Sequence, residues 1–243
     1  LTHHGTGDWS GRIVSLLPVT WVQDWPIPGE VLSQNIGTMK WDGKIPFKHT
    51  EKLSIKRSDD FDEDCLAPQW QWNYQPRKDY FSLTERPGWL RLKAYRPLET
   101  NNLLKAGNTL TQRTFRKQNN DVTIKMDISN MQDGQKNGLC HFSSQHSAIG
   151  IVKEEDACYL EYRKNGNITK GIQIHSEFVW FRTEWGMDGK SQYYYSLDGD
   201  NFLPFGEKYQ LTWGNYRGDR IGIYCFNDKK ETGSVDVDYC HYR

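Results

Sequence analysis

The stretch CYLEYRKNGNITKGIQI, residues 158–174, carries the pattern that decides the fold. Its first half alternates, so that Leu160 and Tyr162 fall on one face of an extended chain. The dipeptide Asn165-Gly166 follows, and a second run containing β-branched residues comes directly after it. Asn-Gly between two such runs is a strong hairpin signal, because both residues tolerate the positive φ of a type I′ turn. The stretch therefore predicts two antiparallel strands joined by a tight turn.

The same period-two alternation occurs before this hairpin, and further turn signals follow it. DVTIKMDIS (121–129) and WLRLKAY (89–95) each place their apolar residues on one face, namely Val122, Ile124, Met126 and Ile128 in the first, and Leu90, Leu92 and Ala94 in the second. A further turn is predicted at Asp198-Gly199, and no amphipathic helix of a dozen residues is evident. Many short strands separated by turns are typical of an antiparallel β-sandwich, with a closed barrel as the alternative.

Length and charge limit the classes of partner. The 243 residues suit one large domain, or one domain with an appendage. Lys plus Arg equals Asp plus Glu at 31 each, which argues against nucleic acid or anionic lipid as a partner. No apolar run approaches the roughly 20 residues of a membrane helix. The 10 Trp, 13 Tyr and 10 Phe are expected mostly in the core, although such side chains can also stack on sugar rings.

Common catalytic and metal motifs are missing from the sequence. The five cysteines form no CxxC pair and are expected to be buried thiols, with room for one disulfide; the compartment stays open on this evidence. No GxSxG, P-loop or GxGxxG motif occurs. Apart from His3 and His4 near the start, the chain has five histidines, which show no metal-ligand spacing and are expected to be structural: His49, His141, His146, His175 and His241.

An oxygen-rich calcium site is one expectation from the acidic residues. SDDFDEDC (58–65) begins with the alternating aspartates of an EF-hand, but Cys65 stands where the loop needs glycine, so an EF-hand is rejected. In the last strand, Asp236 and Asp238 share one face, where two carboxylates repel each other unless solvated, paired or bridged by a cation. A solvated face is the alternative to calcium.

A second acidic run, KEEDACYLEYR (153–163), could suggest catalytic carboxylates. A retaining glycosidase needs two of them about 5 Å apart, and the run has no such paired spacing. Glu161 and Arg163 should point away from the apolar face of their strand. The run is therefore predicted to be a solvated hairpin edge.

Several segments, taken together, resemble one enzyme family. GRIVSLLPVTWVQDWPIPGE (11–30) resembles the last strands of the five-bladed β-propeller of glycoside hydrolase family 43, which includes β-xylosidases and α-L-arabinofuranosidases. Six later segments resemble, in order, the C-terminal concanavalin-like sandwich of those enzymes: SDDFDEDCLAPQWQWNY (58–74), FSLTERPGWLRLKA (81–94), NTLTQR (108–113), YYYSLDGDNF (193–202), NYRGDRIGIYCFN (215–227) and VDVDYCHYR (235–243). The resemblance implies a short propeller remnant in 1–30, a linker in 31–52 and an all-β, antiparallel jelly-roll sandwich in 53–243.

The resemblance also implies roles near the sugar pocket. His3 or His4 matches a histidine that helps to hold a metal or water beneath the pocket. Arg12 matches an arginine that reaches the sugar, and its planar fork suits paired hydroxyls. The alternative for Arg12 is a pair with a neighbouring carboxylate such as Asp8.

Further implied roles lie in the sandwich. Trp213 and Tyr216 match a segment that lends an aromatic side chain to the rim of the active site. Asp60 with Asp236 or Asp238 matches the placement of a structural Ca²⁺ between the first and last strands of the family sandwich.

The family's chemistry is inverting hydrolysis by an aspartate base and a glutamate acid, with a second aspartate orienting the sugar. Those carboxylates belong to propeller blades that this chain lacks, so the resemblance predicts an accessory portion that is inactive alone. Its expected partners are the missing propeller and oligosaccharide or plant polysaccharide fragments, at a periplasmic or extracellular location. The alternatives are a free-standing, lectin-like carbohydrate-binding module and an intact sandwich-type glycosidase.

Overall fold

The computed structural model describes residues 8–12, 17–33, 36–38, 55–214 and 217–243. These residues divide into two compact units. The larger unit joins Asp8–Gly11 to Lys56–Arg243, and the smaller one contains the other described residues up to Ile55. The turn at 8–11 therefore belongs with the residues of the predicted sandwich, although the sequence grouped it with 1–30.

The smaller unit contains two antiparallel strand pairs. Strand β1 (Val19–Val22) pairs with β2 (Trp25–Pro28), and β3 (Glu30–Ser33) pairs with β4 (Ile36–Thr38). The start of the predicted linker is thus a hairpin. A propeller remnant in this region stays a prediction.

The described residues of the larger unit contain fifteen strands and two short 3₁₀ turns. The strands are β5 (Gln71–Trp72), β6 (Phe81–Ser82), β7 (Leu90–Lys93), β8 (Thr109–Arg113), β9 (Asn120–Asp127), β10 (Gln135–Phe142), β11 (His146–Glu154), β12 (Ala157–Lys164), β13 (Asn167–Ile174), β14 (Phe178–Trp185), β15 (Lys190–Ser196), β16 (Leu203–Pro204), β17 (Tyr209–Gln210), β18 (Arg220–Asn227) and β19 (Ser234–Tyr242). The 3₁₀ turns span Lys78–Tyr80 and Leu103–Lys105.

These strands form two antiparallel sheets. The first has seven strands in the order β13-β12-β11-β10-β18-β8-β5. The second has the order β16-β15-β14-β9-β19-β7-β6, with β17 also paired to β15. Two separate sheets packed over one core confirm the predicted concanavalin-like β-sandwich rather than a closed barrel.

The core follows from the predicted alternation. Val122, Ile124 and Met126 of β9 are completely buried, and so are Leu90 and Leu92 of β7. In a strand these residues share one face, so each strand contributes one apolar row to the space between the sheets. The alternation therefore predicted the buried face of both strands correctly.

The hairpin at 158–174 also has the predicted turn. Lys164 pairs with Asn167 across it, and the two residues between them have positive φ, 49° at Asn165 and 90° at Gly166. Positive φ at both central positions is the requirement of a type I′ turn.

The outer face of the seven-stranded sheet is covered as well, which the sequence did not predict. Leu103 and Ala106 pack there in a second apolar cluster, with partners from β10, β11 and β18: Cys140, Phe142, Ala148, Tyr224 and Phe226. Glu161 and Arg163 also lie on this face and are 5% and 2% exposed. The carboxylate of Glu161 accepts a hydrogen bond from Arg163 Nε. The prediction that Glu161 is solvated was therefore wrong.

All five cysteines lie in the described residues as free thiols. Three are buried, Cys158 is half-buried and Cys65 is exposed. No helix among the described residues has the length and apolarity to cross a membrane.

Candidate functional site

The turn Asp8–Gly11 packs against the sandwich. Gly11 N donates to Asp8 O at 2.9 Å, and the backbone N and hydroxyl of Ser10 donate to Asp8 Oδ1 at 2.8 and 2.7 Å. The Trp9 side chain is 6% exposed and packs in the main core. Trp9 therefore anchors the turn to the sandwich.

A cation holds the start of this turn. Arg116 pairs with the carboxylate of Asp8, and its guanidinium lies 5.2 Å from the centre of the Trp9 ring. Burial raises the pKa of Asp8, but the hydrogen bonds from Ser10 and Arg116 outweigh it and lower that pKa overall. Arg12, the predicted sugar contact, is half-buried and belongs to the smaller unit. Its role in sugar binding stays a prediction.

Asp219 connects this turn to three other parts of the larger unit. Its backbone N donates to Trp9 O at 2.6 Å, and its backbone O accepts from Thr114 Oγ1 at 2.6 Å. Its carboxylate accepts from Thr212 N at Oδ2 (3.2 Å) and contacts His141 Nδ1 at Oδ1 (3.1 Å). Asp219 is 1% exposed, so these contacts replace water as its hydrogen-bonding partners.

His141 carries the connection across the interior of the sandwich. The residue lies on β10 of the seven-stranded sheet, and its Nε2 is 3.0 Å from Thr183 Oγ1 on β14 of the other sheet. An ionised Asp219 carboxylate could only accept hydrogen bonds, and His141 would then donate to it from Nδ1. Three rings surround the imidazole, with centroids 5.2 to 6.2 Å away: Trp185, Tyr193 and Tyr209.

Residues 212–214 and 217–218, here called the rim loop, lie against the N-terminal turn. Gly218 has φ of +77°, and a Cβ there would lie 2.5 Å from Gly11 N and 2.7 Å from Trp9 O. Gly11 has φ of +83°, and a Cβ there would lie 2.9 Å from Arg217 O. Glycine at both positions therefore allows the two backbones to touch.

The structure places part of the predicted rim set in this loop. Trp213 is half-buried there, and its carbonyl accepts from Ser144 Oγ at 2.8 Å. Tyr216, the other predicted aromatic, lies outside the described residues, as do His3 and His4.

The predicted calcium ligands each have a basic partner. Asp236 is 2% exposed, and its carboxylate accepts from Arg91 Nε at 2.7 Å and from Arg86 Nη1 at 2.9 Å. The same Arg86 nitrogen also donates to Asp127 Oδ2 at 2.7 Å. Two arginines therefore balance the carboxylates at this position of the sheet.

The other two predicted calcium ligands are paired as well. Lys125 Nζ donates to Asp238 at 2.7 Å, and His241 Nε2 lies 2.7 Å from Asp60 Oδ1. Over the described ranges, no group of three or more His, Cys, Asp or Glu side chains is arranged to hold a metal. Asp60, Asp236 and Asp238 in this arrangement do not fit a calcium site, and calcium binding stays a prediction.

Many aromatic side chains of the sandwich pack in its main core, and others are half-buried. In the described part of residues 55–243, Tyr74 is the most exposed of them, at 41%, and its hydroxyl donates to Leu104 O at 3.4 Å. Sugar-stacking modules need an exposed ring face. The described part of residues 55–243, taken by itself, therefore offers little support for a free-standing carbohydrate-binding module.

The sequence predictions missed the His141–Asp219 pair. His141 was expected to be structural and Asp219 was not singled out, since no short motif contains both. The pairing of β10 with β18 puts His141 opposite Ile221, two residues after Asp219. That register was the signal that could have brought them together.

Comparisons with known proteins agree on one relationship. Residues 58–243 match the family model described as the β-xylosidase C-terminal concanavalin A-like domain. A β-xylosidase of Formosa agariphila is 35% identical over 96% of this chain and 43% of its own length. A non-reducing end α-L-arabinofuranosidase of Bacteroides ovatus is 34% identical over 34% of the chain and 15% of its own length.

A solved structure shows the same similarity. The bifunctional GH43-CE protein of Bacteroides eggerthii superposes with a TM-score of 0.77 at 28% identity, over 97% of this chain and 31% of that one. The chain thus spans less than half the length of each of these relatives.

Proposed function

The chain belongs to the family of C-terminal concanavalin A-like domains of β-xylosidases in glycoside hydrolase family 43, and from this membership we propose that it serves an exo-acting, inverting glycosidase. The substrate class is xylan- or arabinan-derived saccharides, with β-xylosidase or α-L-arabinofuranosidase activity. The catalytic carboxylates come from a propeller outside this chain.

The state of the buried carboxylates is the observation that carries this proposal. Asp219 has His141 and a backbone amide as partners, Asp236 has two arginines, and Glu161 has Arg163. Asp127 shares Arg86, and Asp59 accepts from Trp70 Nε1 at 2.7 Å. A glycosidase needs one carboxyl group free to donate a proton and another free to accept one. The buried carboxylates described in the sandwich are all occupied, which supports catalysis from elsewhere.

The surface of the smaller unit gives independent support. Trp21 and Trp25 are 68% and 72% exposed. Large exposed apolar side chains on neighbouring strands are typical of a surface that another part of a protein covers. A propeller supplies such a cover.

The proposal also assigns the contacts with sugar. Arg12 and the rim loop, with Trp213 and Tyr216, contribute to the edge of the pocket, and His3 or His4 contributes beneath it. The family resemblance supports these roles, and the position of the rim loop against the N-terminal turn is compatible with them.

The test compares this chain with the same protein extended upstream by the propeller. Both are assayed on nitrophenyl xylopyranoside and nitrophenyl arabinofuranoside, and the product anomer is followed by NMR. We expect the chain alone to be inactive and the longer protein to release the inverted sugar. Turnover by the chain alone, abolished by one carboxylate substitution within 55–243, would overturn the proposal.

A further inference from the structure

We propose that His141 and Asp219 are a buried pair of positioning residues that fixes the rim loop against the turn Asp8–Gly11. The pair thereby sets where the sandwich presents the loop to the sugar pocket. This last step rests on the proposed function, whereas the positioning itself can be tested without it.

Asp219 is hydrogen-bonded to four parts of the larger unit. Its backbone N binds the carbonyl of Trp9 and its backbone O binds Thr114, while the carboxylate takes Thr212 N and the imidazole of His141. One residue therefore contacts the N-terminal turn, the segment after β8, the start of the rim loop and the interior of β10. A displacement of Asp219 would disturb all four contacts together.

Asp219 also joins the two ends of the rim loop. Thr212 stands at its start and Asp219 directly follows its end, so the carboxylate of Asp219 holds the two ends together at 3.2 Å. Between them, Arg217 N donates to Gly214 O at 3.1 Å in a turn.

Contacts in the core hold the side chain of His141 in place. A buried carboxylate is costly unless donors surround it, and His141 supplies the side-chain donor from within the core. The ring cannot turn freely, because Trp185, Tyr193 and Tyr209 pack around it and Thr183 contacts its other nitrogen. Through Asp219 and His141, the packed interior of both sheets therefore fixes the position of the rim loop.

The rim loop is in direct backbone contact with the turn Asp8–Gly11. Backbone touches backbone at Gly218 and Gly11, and no flexible side chain lies between them to absorb a shift. The rim loop is thus held directly against the turn Asp8–Gly11.

The first experiment uses the chain as it is and measures amide hydrogen exchange. In Asp219→Ala, we expect amides of the rim loop to exchange at least roughly tenfold faster, while the amides of β9 keep their protection. Asp219→Asn should restore most of the protection, because its amide oxygen can accept from Thr212 and its nitrogen can donate to the other tautomer of His141.

Asp236→Ala is the matched control, since it removes an equally buried carboxylate from the other sheet. It should lower overall stability without selectively exposing the rim loop. If Asp219→Ala accelerates all amides equally, or none, the positioning role is refuted. If Asp219→Ala does not fold, the comparison of Asp219→Asn with His141→Ala decides, because only the second should release the loop.

The second experiment uses the protein extended by the propeller. We expect Asp219→Ala to lower kcat/KM roughly tenfold in folded enzyme, since small misplacements of positioning groups are costly. Combination with Trp213→Ala should give less than the product of the two single losses, because both act through one loop. Asp236→Ala should combine with Trp213→Ala independently.

The outcomes separate the two proposals. An inactive extended protein, or one indifferent to Trp213→Ala and Tyr216→Ala, contradicts the proposed function of the rim loop and leaves the exchange result standing. Fully multiplicative losses of Asp219→Ala and Trp213→Ala contradict the positioning role in an enzyme whose activity is confirmed.

Discussion

His146 shows how the environment of one residue can make stability depend on pH. Burial, helped by the charge of Arg163, lowers the pKa of His146 to about 4. The unfolded chain has the ordinary value near 6.5, so below that pH it binds a proton that the folded chain refuses. Stability is therefore fully present above about pH 6.5 and is lost as the pH falls toward 4, by up to ~3 kcal/mol.

His146→Gln should flatten that loss. We expect the urea midpoint of the variant to change less than that of the parent between pH 7 and pH 4.5. His175→Gln, at an exposed position, is the control and should leave the parent's pH dependence unchanged. An unaltered slope in His146→Gln would show that other groups govern this range.

Gly218 is the second residue whose environment gives a prediction. Gly218→Ala combines positive φ with collisions against the backbone of Trp9 and Gly11, and should lower the free energy of unfolding by about 3 kcal/mol or more. Gly166→Ala has positive φ but nothing within 4 Å, so it should cost only about 1–2 kcal/mol. Equal losses in urea denaturation would mean that the loop shifts away without cost.

The sequence predicted single residues well only where the reason was local. Asn165-Gly166 was confirmed because a turn depends on adjacent residues. His141 and Asp219 were missed because their contact depends on which strands pair, and neighbouring residues do not encode that.

At the scale of the element, alternation predicts which way a side chain points, but not what covers it. Leu160 and Glu161 point to opposite faces of β12 as expected, yet both are buried. The segment around Leu103 covers the outer face, and it has no period-two pattern that would have revealed this. A charged residue on a strand can therefore be part of a second interior.

Arg91 on β7 and Arg86, which precedes that strand, both pair with Asp236 on β19 and should stabilise the pairing of the two strands. Arg91→Met leaves the buried carboxylate of Asp236 with only Arg86, and should lower the free energy of unfolding by about 2–4 kcal/mol. Lys164→Met removes a partner of the exposed Glu207 and should cost clearly less than Arg91→Met, because solvent screens an exposed ion pair. Chemical denaturation of the two variants compares a buried pair with a solvated one, and equal losses would contradict the difference.

Calcium binding at Asp236 was also predicted from the sequence, and the pairing of this residue with two arginines does not support it. A calcium ion bound to the folded state alone would raise Tm when added after chelation. Asp236 already has its countercharge, so we expect no rise that depends on this residue. A rise lost in Asp236→Asn would restore the site expected from the sequence, and a rise retained there would place the ion elsewhere.

For the whole molecule, the sequence predicted a concanavalin-like sandwich, and the match to the family model confirms it over 58–243. The grouping of residues 8–11 with the sandwich was not predictable, since DWSG has no strand pattern and gains its place only through contacts distant in sequence. A linear division of the chain cannot represent that.

The exposed tryptophans of the smaller unit give the last prediction. Trp21→Ser with Trp25→Ser should reduce binding of a hydrophobic dye and raise the solubility of the isolated chain, because two large apolar surfaces are removed. The unfolding midpoint of the sandwich should not change. Trp9→Ser is the contrasting variant, since its side chain is buried, and it should lower that midpoint. Unchanged dye binding in the double variant would contradict an apolar surface at these positions.

The anchoring of Trp9 beside Asp219 has a consequence for the order of events during synthesis. During synthesis Trp9 leaves the ribosome well before Gly189 and Asp219, which lie beside it in the folded protein. Until then the indole of Trp9 lacks its native packing partners, and it is exposed to contacts with other nascent chains. The turn Asp8–Gly11 can therefore dock only after Asp219 has been made, well after its own synthesis.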